Sequence, residues 1–299
     1  MTLRLGIIGS SEGNGHPYSW SAIFNGYDSA EMENCGYPVI PRYLEKQNWP
    51  TSQIGGAEVT AVWTQDIALS KHIAKAARIE QVVSCYADMI GQVDAILLAR
   101  DDAHNHLRFA EPFLTAGLPI YIDKPIALSI DELNQLYALE QYPGQIFTCS
   151  ALRYSAQLAL SAADHQKLGN IKQIAAFTPK SWSKYAVHIV EPVLNMLSKE
   201  DEPIEMTVPI TNRGDSSANL KVYWSSGIQT SFFALGEIQT PIFIRIFGTN
   251  TWKDFTFNDS FSAFKSALQA FIQGILDNKV MSDRAFNTKV VQILERGCQ

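Results

Sequence analysis

Two positions in this 299-residue chain carry side chains placed for chemistry. Lys124 stands between Asp123 and Pro125, directly behind the apolar run Pro119–Ile122, so a cation sits at the end of what reads as a buried strand. An ammonium there can hold a substrate hydroxyl, stabilise a developing alkoxide and assist proton transfer when its neighbours lower its pKa. It can equally be a solvated lysine paired with Asp123. His188 opens a helix after Trp182, Ser183, Lys184 and Tyr185. An imidazole titrates near neutrality and can exchange a hydroxyl proton while a hydride moves, or it can simply pack a helix against a sheet.

The loop after the first apolar run has the makings of a phosphate cradle. Gly9 is followed by Ser10 and Ser11, so Ser11 replaces the second glycine of a dinucleotide fingerprint, and Glu12-Gly13-Asn14-Gly15-His16-Pro17 lengthens the loop. Gly13 and Gly15 let the backbone swing around a phosphate, with serine hydroxyls donating, or the segment is a plain turn. After the second strand, where an acidic residue would meet ribose hydroxyls, the chain reads Thr64-Gln65-Asp66. No arginine lies there to hold a 2′-phosphate, so NAD is favoured over NADP. His16, Tyr18, Arg153, Trp182 and Tyr185 suit a polyhydroxylated ring bearing an anionic group, although each aromatic is also a natural core residue. His104 and His106 have the spacing of a metal pair without a third ligand, so no metal is expected. Gly-x-Ser-x-Gly is absent, which leaves covalent hydrolysis without support.

Stepwise apolar runs and helical spacing supply the scaffold. Leu3–Ile8, Ala57–Trp63, Val93–Ala99, Pro119–Ile122 and Gln145–Ser150 read as strands alternating with helices, the pattern of a parallel sheet that binds ligands beyond its strand ends. Beyond Arg153 the rhythm changes. A helix near Ala156–Gln166, a strand at Ile171–Thr178 and a helix at Val187–Leu197 precede strands at Ile204–Asn212, Asn219–Trp224, Ile228–Ala234 and Ile242–Gly248, which predict an antiparallel meander. Helices at Phe261–Asp277 and Arg284–Arg296 follow. The expected architecture is α/β plus α+β: a Rossmann-like parallel sheet over residues 1–150, and over 151–299 a mainly antiparallel open sheet flanked by helices, the two sharing an interface.

Composition excludes several classes. Apolar residues make up 46% and charged residues 18%, and 24 basic against 30 acidic residues give a net charge of −6. Such a chain has no positive field to gather nucleic acid or anionic lipid. The apolar start is too short for a signal peptide, no run approaches a membrane span, and the four cysteines are widely spaced, so a cytoplasmic protein with free thiols is expected.

With Asp123-Lys124-Pro125 in the place of Glu-Lys-Pro, the chain resembles the Gfo/Idh/MocA oxidoreductases. Val93–Leu97, the interval from His106 to Gly117, Gly169 with Ile171, Gly227 and Gly248-Thr249 extend the resemblance over nearly the whole chain. It implies a nicotinamide cofactor in the first domain, a sugar or cyclic polyol substrate, and a homodimer or homotetramer formed through the C-terminal sheet. It also implies catalytic roles for Lys124 and His188, a cleft position for Arg100 and a cleft-edge structural position for His106, with both of these and Asp123, Gly9, Ser10, Ser11, Thr64, Gln65 and Asp66 as the cofactor-binding residues. One departure is Lys184, where the family often has an acidic residue four positions before the histidine; Glu191 is close enough on the helix to take over. Two rival readings are an NAD-dependent glycoside hydrolase of the same fold and a binding protein that turns nothing over.

Overall fold

The computed structural model describes residues 2–208 and 217–299. The chain forms two compact units that are not consecutive halves. One unit runs to Ala127, resumes over Asp131–Thr148 and takes back Ala267–Asp283; the other holds Leu128–Ile130, Cys149–Ser266 and Arg284–Gln299. The return has a packing reason, because Phe271 lies 5.7 Å from the ring of Tyr121 and 5.6 Å from that of Phe147.

In the first unit β1 (Leu3–Ile8), β2 (Ala57–Trp63), β3 (Gln81–Val82), β4 (Ala95–Leu98), β5 (Ile120–Ile122) and β6 (Ile146–Thr148) form one sheet in the order β3-β2-β1-β4-β5-β6. Every pairing is parallel. β4 is buried along its whole length, as a strand covered on both faces must be. The order reverses between β1 and β4, which places the loops after these two strands side by side at a topological switch point. β3 has two residues and no apolar run to announce it. Between the helix His16–Asn25 and β2 lie two short helices, Ser29–Glu33 and Val39–Leu44, that periodicity does not reveal.

The second unit contains β7 (Ile171–Thr178), β8 (Pro203–Thr207), β9 (Ala218–Trp224), β10 (Gln229–Ala234), β11 (Phe243–Gly248) and β12 (Trp252–Thr256), ordered β12-β11-β7-β10-β9-β8. The sheet is mainly antiparallel but is no simple meander. β7 inserts between β10 and β11, pairing parallel with the former and antiparallel with the latter. Of the strand expected at Ile204–Asn212, the part from 209 onward lies outside the described residues. The helix expected at Ala156–Gln166 is instead a short turn, Ala156–Leu158, followed by a helix at Ala162–Leu168. Ser161 starts that helix by accepting from the Asp164 N–H while Asp164 accepts from the Ser161 N–H, a reciprocal cap.

One face of this sheet is closed by Ile174, Ala176, Phe232, Ile244 and Ile246 packed with residues of the helices Val187–Met196 and Arg284–Gly297. The opposite face carries a ladder of half-buried rings, with Phe177 stacked on Phe233 at 4.7 Å and on Phe243 at 4.4 Å.

Gly248 sits at a register shift between β11 and β7, and a Cβ there would lie 2.1 Å from the Leu168 carbonyl oxygen. Backbone cannot yield as a flexible side chain does. Gly248→Ala is therefore expected to lower stability by about 1–3 kcal/mol, as overpacking does. Thermal or urea melts check this, and a wild-type midpoint contradicts it.

Candidate active site

The site in the first unit is built at the ends of β1, β4 and β5. Gly9 leaves β1 where a Cβ would strike Pro17 Cγ at 2.3 Å, so only glycine lets the following helix begin this close. Asn14, buried in the loop, accepts from the His16 N–H at 2.8 Å and donates through Nδ2 to Asp123 Oδ2 at 3.0 Å. His16 Nδ1 lies 2.5 Å from the same oxygen, and the His16 ring stacks on Trp20 with centroids 5.0 Å apart. The Lys124 N–H closes the set by donating to Asp123 Oδ1 at 2.8 Å.

Lys124 is buried, and its Nζ lies 3.5 Å from Asp101 Oδ2. Asp101 in turn accepts from Ser11 Oγ at 2.6 Å, while the Asp101 N–H donates to that hydroxyl at 3.1 Å. The ion partner of Lys124 is thus Asp101 rather than its sequence neighbour Asp123. Arg100 bonds Asp102 through Nε at 3.0 Å and Nη2 at 2.6 Å, and reaches Gln65 Oε1 through Nη1 at 3.1 Å. Burial works against ionisation of Asp102, but the Arg100 fork and Asn105 outweigh it and hold the carboxyl below its usual range. Gln65 also clasps Ser10, accepting from its N–H at 3.1 Å and donating to its carbonyl at 2.9 Å.

Several expected cofactor contacts have structural duties. The Thr64 hydroxyl donates to the Asp66 carbonyl at 2.6 Å and lies 2.9 Å from Ser70 Oγ. Asp66 caps the helix Ile67–Ala76 through the N–H groups of Ala68 and Leu69. His106 is fully buried, its Nε2 2.8 Å from the Arg100 carbonyl and its Nδ1 2.9 Å from that of Ile126, so it ties two strand-end loops together. Tyr18, two residues beyond His16, is not brought to Lys124. Its hydroxyl meets His72 Nδ1 at 2.5 Å, and burial pushes the phenol up.

The second unit carries its own cluster. His188 Nδ1 lies 2.7 Å from Ser150 Oγ, and the Tyr185 ring stands edge-on to the imidazole at 5.2 Å. Lys180 donates to the Tyr185 hydroxyl at 2.6 Å. Glu191 does not take over as the carboxylate beside His188. It is buried and accepts from the Ser150 N–H at 3.0 Å, so it reaches the imidazole only through Ser150. Burial raises the Glu191 carboxyl, with Arg153 and the Ser150 N–H offsetting part of the effect, and leaves it at about 7. Glu191 Oε2 and Arg153 Nη1 have no hydrogen-bond partner among the described residues. The Arg153 guanidinium instead lies over the Phe286 ring at 3.8 Å. Trp182 is a core residue: its Nε1 donates to the Leu294 carbonyl at 2.9 Å, and its ring occupies the space a Cβ on Gly297 would need.

Residues 4–150 match the model of an oxidoreductase family with an NAD-binding Rossmann fold. That family is Gfo/Idh/MocA, and the match spans just under half of the chain. Among solved structures, the chain superposes on myo-inositol 2-dehydrogenase from Lactobacillus plantarum with a TM-score of 0.72 at 16% identity, covering 99% of this chain and 96% of the other. UDP-N-acetylglucosamine 3-dehydrogenase from Acidithiobacillus ferrooxidans gives 0.70 at 15%, covering 99% and 97%. Scyllo-inositol dehydrogenase from Lactobacillus casei, solved with NAD(H) and scyllo-inositol, gives 0.72 at 16%, covering 99% and 97%. At such identities the likeness is one of fold. A protein of Amycolatopsis mediterranei (strain S699) assigned as a UDP-kanosamine synthase oxidoreductase subunit is 27% identical over 118 residues, which span 40% of this chain and 33% of that relative's length.

The residues at the switch point fit a dinucleotide, by a modified route. The His16 N–H is used by Asn14 and Pro17 has none, so the start of the helix offers less than the usual fingerprint. Gly13, with φ of 77° and open space where a Cβ would go, leaves the loop approachable, and Ser10, Gln65 and Arg100 stand beside it. Ser150, Asn14 and Asp101 escape sequence reasoning, because nothing in their spacing marks them.

Glu191 makes stability depend on pH. Its folded pKa of about 7 lies above the ordinary 4.5, so its contribution is fully present below 4.5 and is lost as pH rises through 7. Wild-type melting temperature should fall between pH 5 and pH 8, and Glu191→Gln should flatten that slope. An unchanged slope in the variant contradicts the assignment.

Proposed function

We propose that this protein is an NAD(P)-dependent oxidoreductase that acts on a CH–OH group of a sugar, a cyclic polyol or a sugar nucleotide. The observation that carries the reading is the buried Lys124 ammonium at the end of β5, held against Asp101 in a unit that matches an NAD-binding oxidoreductase family. The inositol and UDP-sugar specificities of the solved structures, and that of the kanosamine-related relative, support the substrate class.

Ser10, Gly13, Gln65 and Arg100 would hold the dinucleotide, with Gly9 allowing its close approach. Thr64, Asp66, Ser11, His106 and Asp123 would support that loop from behind. When bound, the nicotinamide supplies hydride transfer. Lys124 meets the reacting oxygen and stabilises negative charge there, and Asp101 keeps its ammonium in place. His188 handles the proton of that oxygen, with its ring held at Nδ1 by Ser150. His16, Arg153 and Tyr185 are the polar groups we assign to substrate recognition. Tyr18 and Trp182, engaged with His72 and Leu294, are left out.

No helix among the described residues is long and apolar enough to cross a membrane. A cytoplasmic location is part of the proposal, supported by the acidic composition and the widely spaced cysteines. The stacked Phe177, Phe233 and Phe243 ladder supports a homodimer or homotetramer formed through the C-terminal sheet.

Lys124→Ala and His188→Ala should each lower kcat by about 10²–10⁴-fold, the range for losing one acid–base or charge-stabilising group. Nicotinamide absorbance during turnover of myo-inositol, scyllo-inositol and UDP-N-acetylglucosamine reads this out. Full activity in both variants would sink the residue assignment. In sedimentation equilibrium, wild type should be oligomeric and Phe177→Glu should shift it toward monomer; a monomeric wild type contradicts the assembly.

A further inference from the structure

Ser150 is fully buried, and each of its polar groups has a fixed partner. Its N–H donates to Glu191 Oε1 at 3.0 Å, and its carbonyl accepts from the Arg153 N–H at 3.0 Å. Its Oγ accepts from the Leu152 N–H at 3.3 Å and lies 2.7 Å from His188 Nδ1. Among the described residues the hydroxyl hydrogen therefore has one acceptor in reach, and that acceptor is Nδ1.

A neutral imidazole has one N–H and one bare nitrogen. Were the hydrogen on Nδ1, it would point at Ser150 Oγ and leave the serine's own hydrogen buried without an acceptor, which is costly in a site with no water contact. We propose that Ser150 donates its hydroxyl hydrogen to His188 Nδ1 and so fixes the neutral ring as the Nε2–H tautomer, a hydrogen-bond donor to the oxygen of the substrate. The inference rests on the reading above that His188 meets that oxygen.

The consequence separates this chain from a site with a carboxylate beside the histidine. A carboxylate accepts from Nδ1–H and leaves Nε2 bare, ready to take a proton. Lys184 offers no such acceptor, and Glu191 is turned to the Ser150 backbone. With Nε2–H in place, the neutral ring stabilises a carbonyl or alkoxide oxygen by donation. For Nε2 to accept a hydroxyl proton, the ring hydrogen must first move to Nδ1 and the Ser150 hydroxyl must turn away. Ser150 is thus a positioning residue, and Glu191 holds its backbone.

The test is histidine-selective ¹⁵N NMR on the full chain, with the His188 signals assigned by their loss in His188→Ala. At a pH where the ring is neutral, the wild type should show a protonated Nε2 and a bare Nδ1. Ser150→Ala should relax the ring toward the mixture of a free imidazole, and Ser150→Thr, which keeps the hydroxyl, should preserve the wild-type pattern. In NADH-linked reduction of the ketone that corresponds to myo-inositol or UDP-N-acetylglucosamine, where Nε2–H donates to the carbonyl oxygen, Ser150→Ala should lose about tenfold in kcat with KM nearly unchanged, and Ser150→Thr should recover it. A bare Nε2 in the wild type overturns the proposal even if neither variant folds. So does a tautomer unchanged in Ser150→Ala. Full turnover in His188→Ala would remove the functional reading instead, and the tautomer measurement would still decide what Ser150 does.

Discussion

The carboxylate of Asp123 is the constraint around which the first unit is arranged. It is 1% exposed, and a buried carboxylate is tolerable only when its oxygens are fully hydrogen-bonded. Asn14 Nδ2, His16 Nδ1 and the Lys124 N–H meet that demand, and in doing so bind the end of β5 to the loop after β1. A second carboxylate, Asp101, repeats the device between β4, Ser11 and the Lys124 ammonium. Together the two acids fix where the lysine charge sits. They also draw donors inward, and the His16 N–H at the start of the helix is taken by Asn14.

Much of this frame is legible in the amino-acid order, for a physical reason. A strand buried on both faces must be a short apolar run, so β1, β4, β5 and β6 announce themselves, and Lys124 stands out against such a run. What escapes notice is whatever depends on partners far apart in the chain. Asp123 reads as a plain neighbour of Lys124, while its bonds reach back 107 and 109 residues to His16 and Asn14. Thr64 stands where a ribose contact is expected, with Asp66 two residues on, and both side chains also make short bonds to nearby backbone that their spacing does not announce. Two-residue β3 has no pattern to detect, and the placement of β7 between β10 and β11 is a matter of pairing that apolar spacing does not encode.

The second unit shows the same limit in a sharper form. His188 and Glu191 are visible as a pair on one helix, and helical spacing suggests that they meet. Burial decides otherwise. Glu191 finds its hydrogen-bond donor on the Ser150 backbone, and the serine side chain, commonplace in sequence, becomes the group that faces the imidazole. The same burial that draws the carboxylate away also raises its pKa, and Glu191 meets the Ser150 backbone rather than the imidazole.

Binding of a nicotinamide dinucleotide at the β1–β4 switch point is the claim on which the account stands. Titration calorimetry of the purified protein with NAD, NADH, NADP and NADPH tests it most directly, after any copurifying nucleotide has been looked for by its absorbance and removed. One oxidised and reduced pair should bind in the micromolar to millimolar range, NAD and NADH before their phosphorylated counterparts. Failure of all four to bind, with no nucleotide carried through purification, would contradict it.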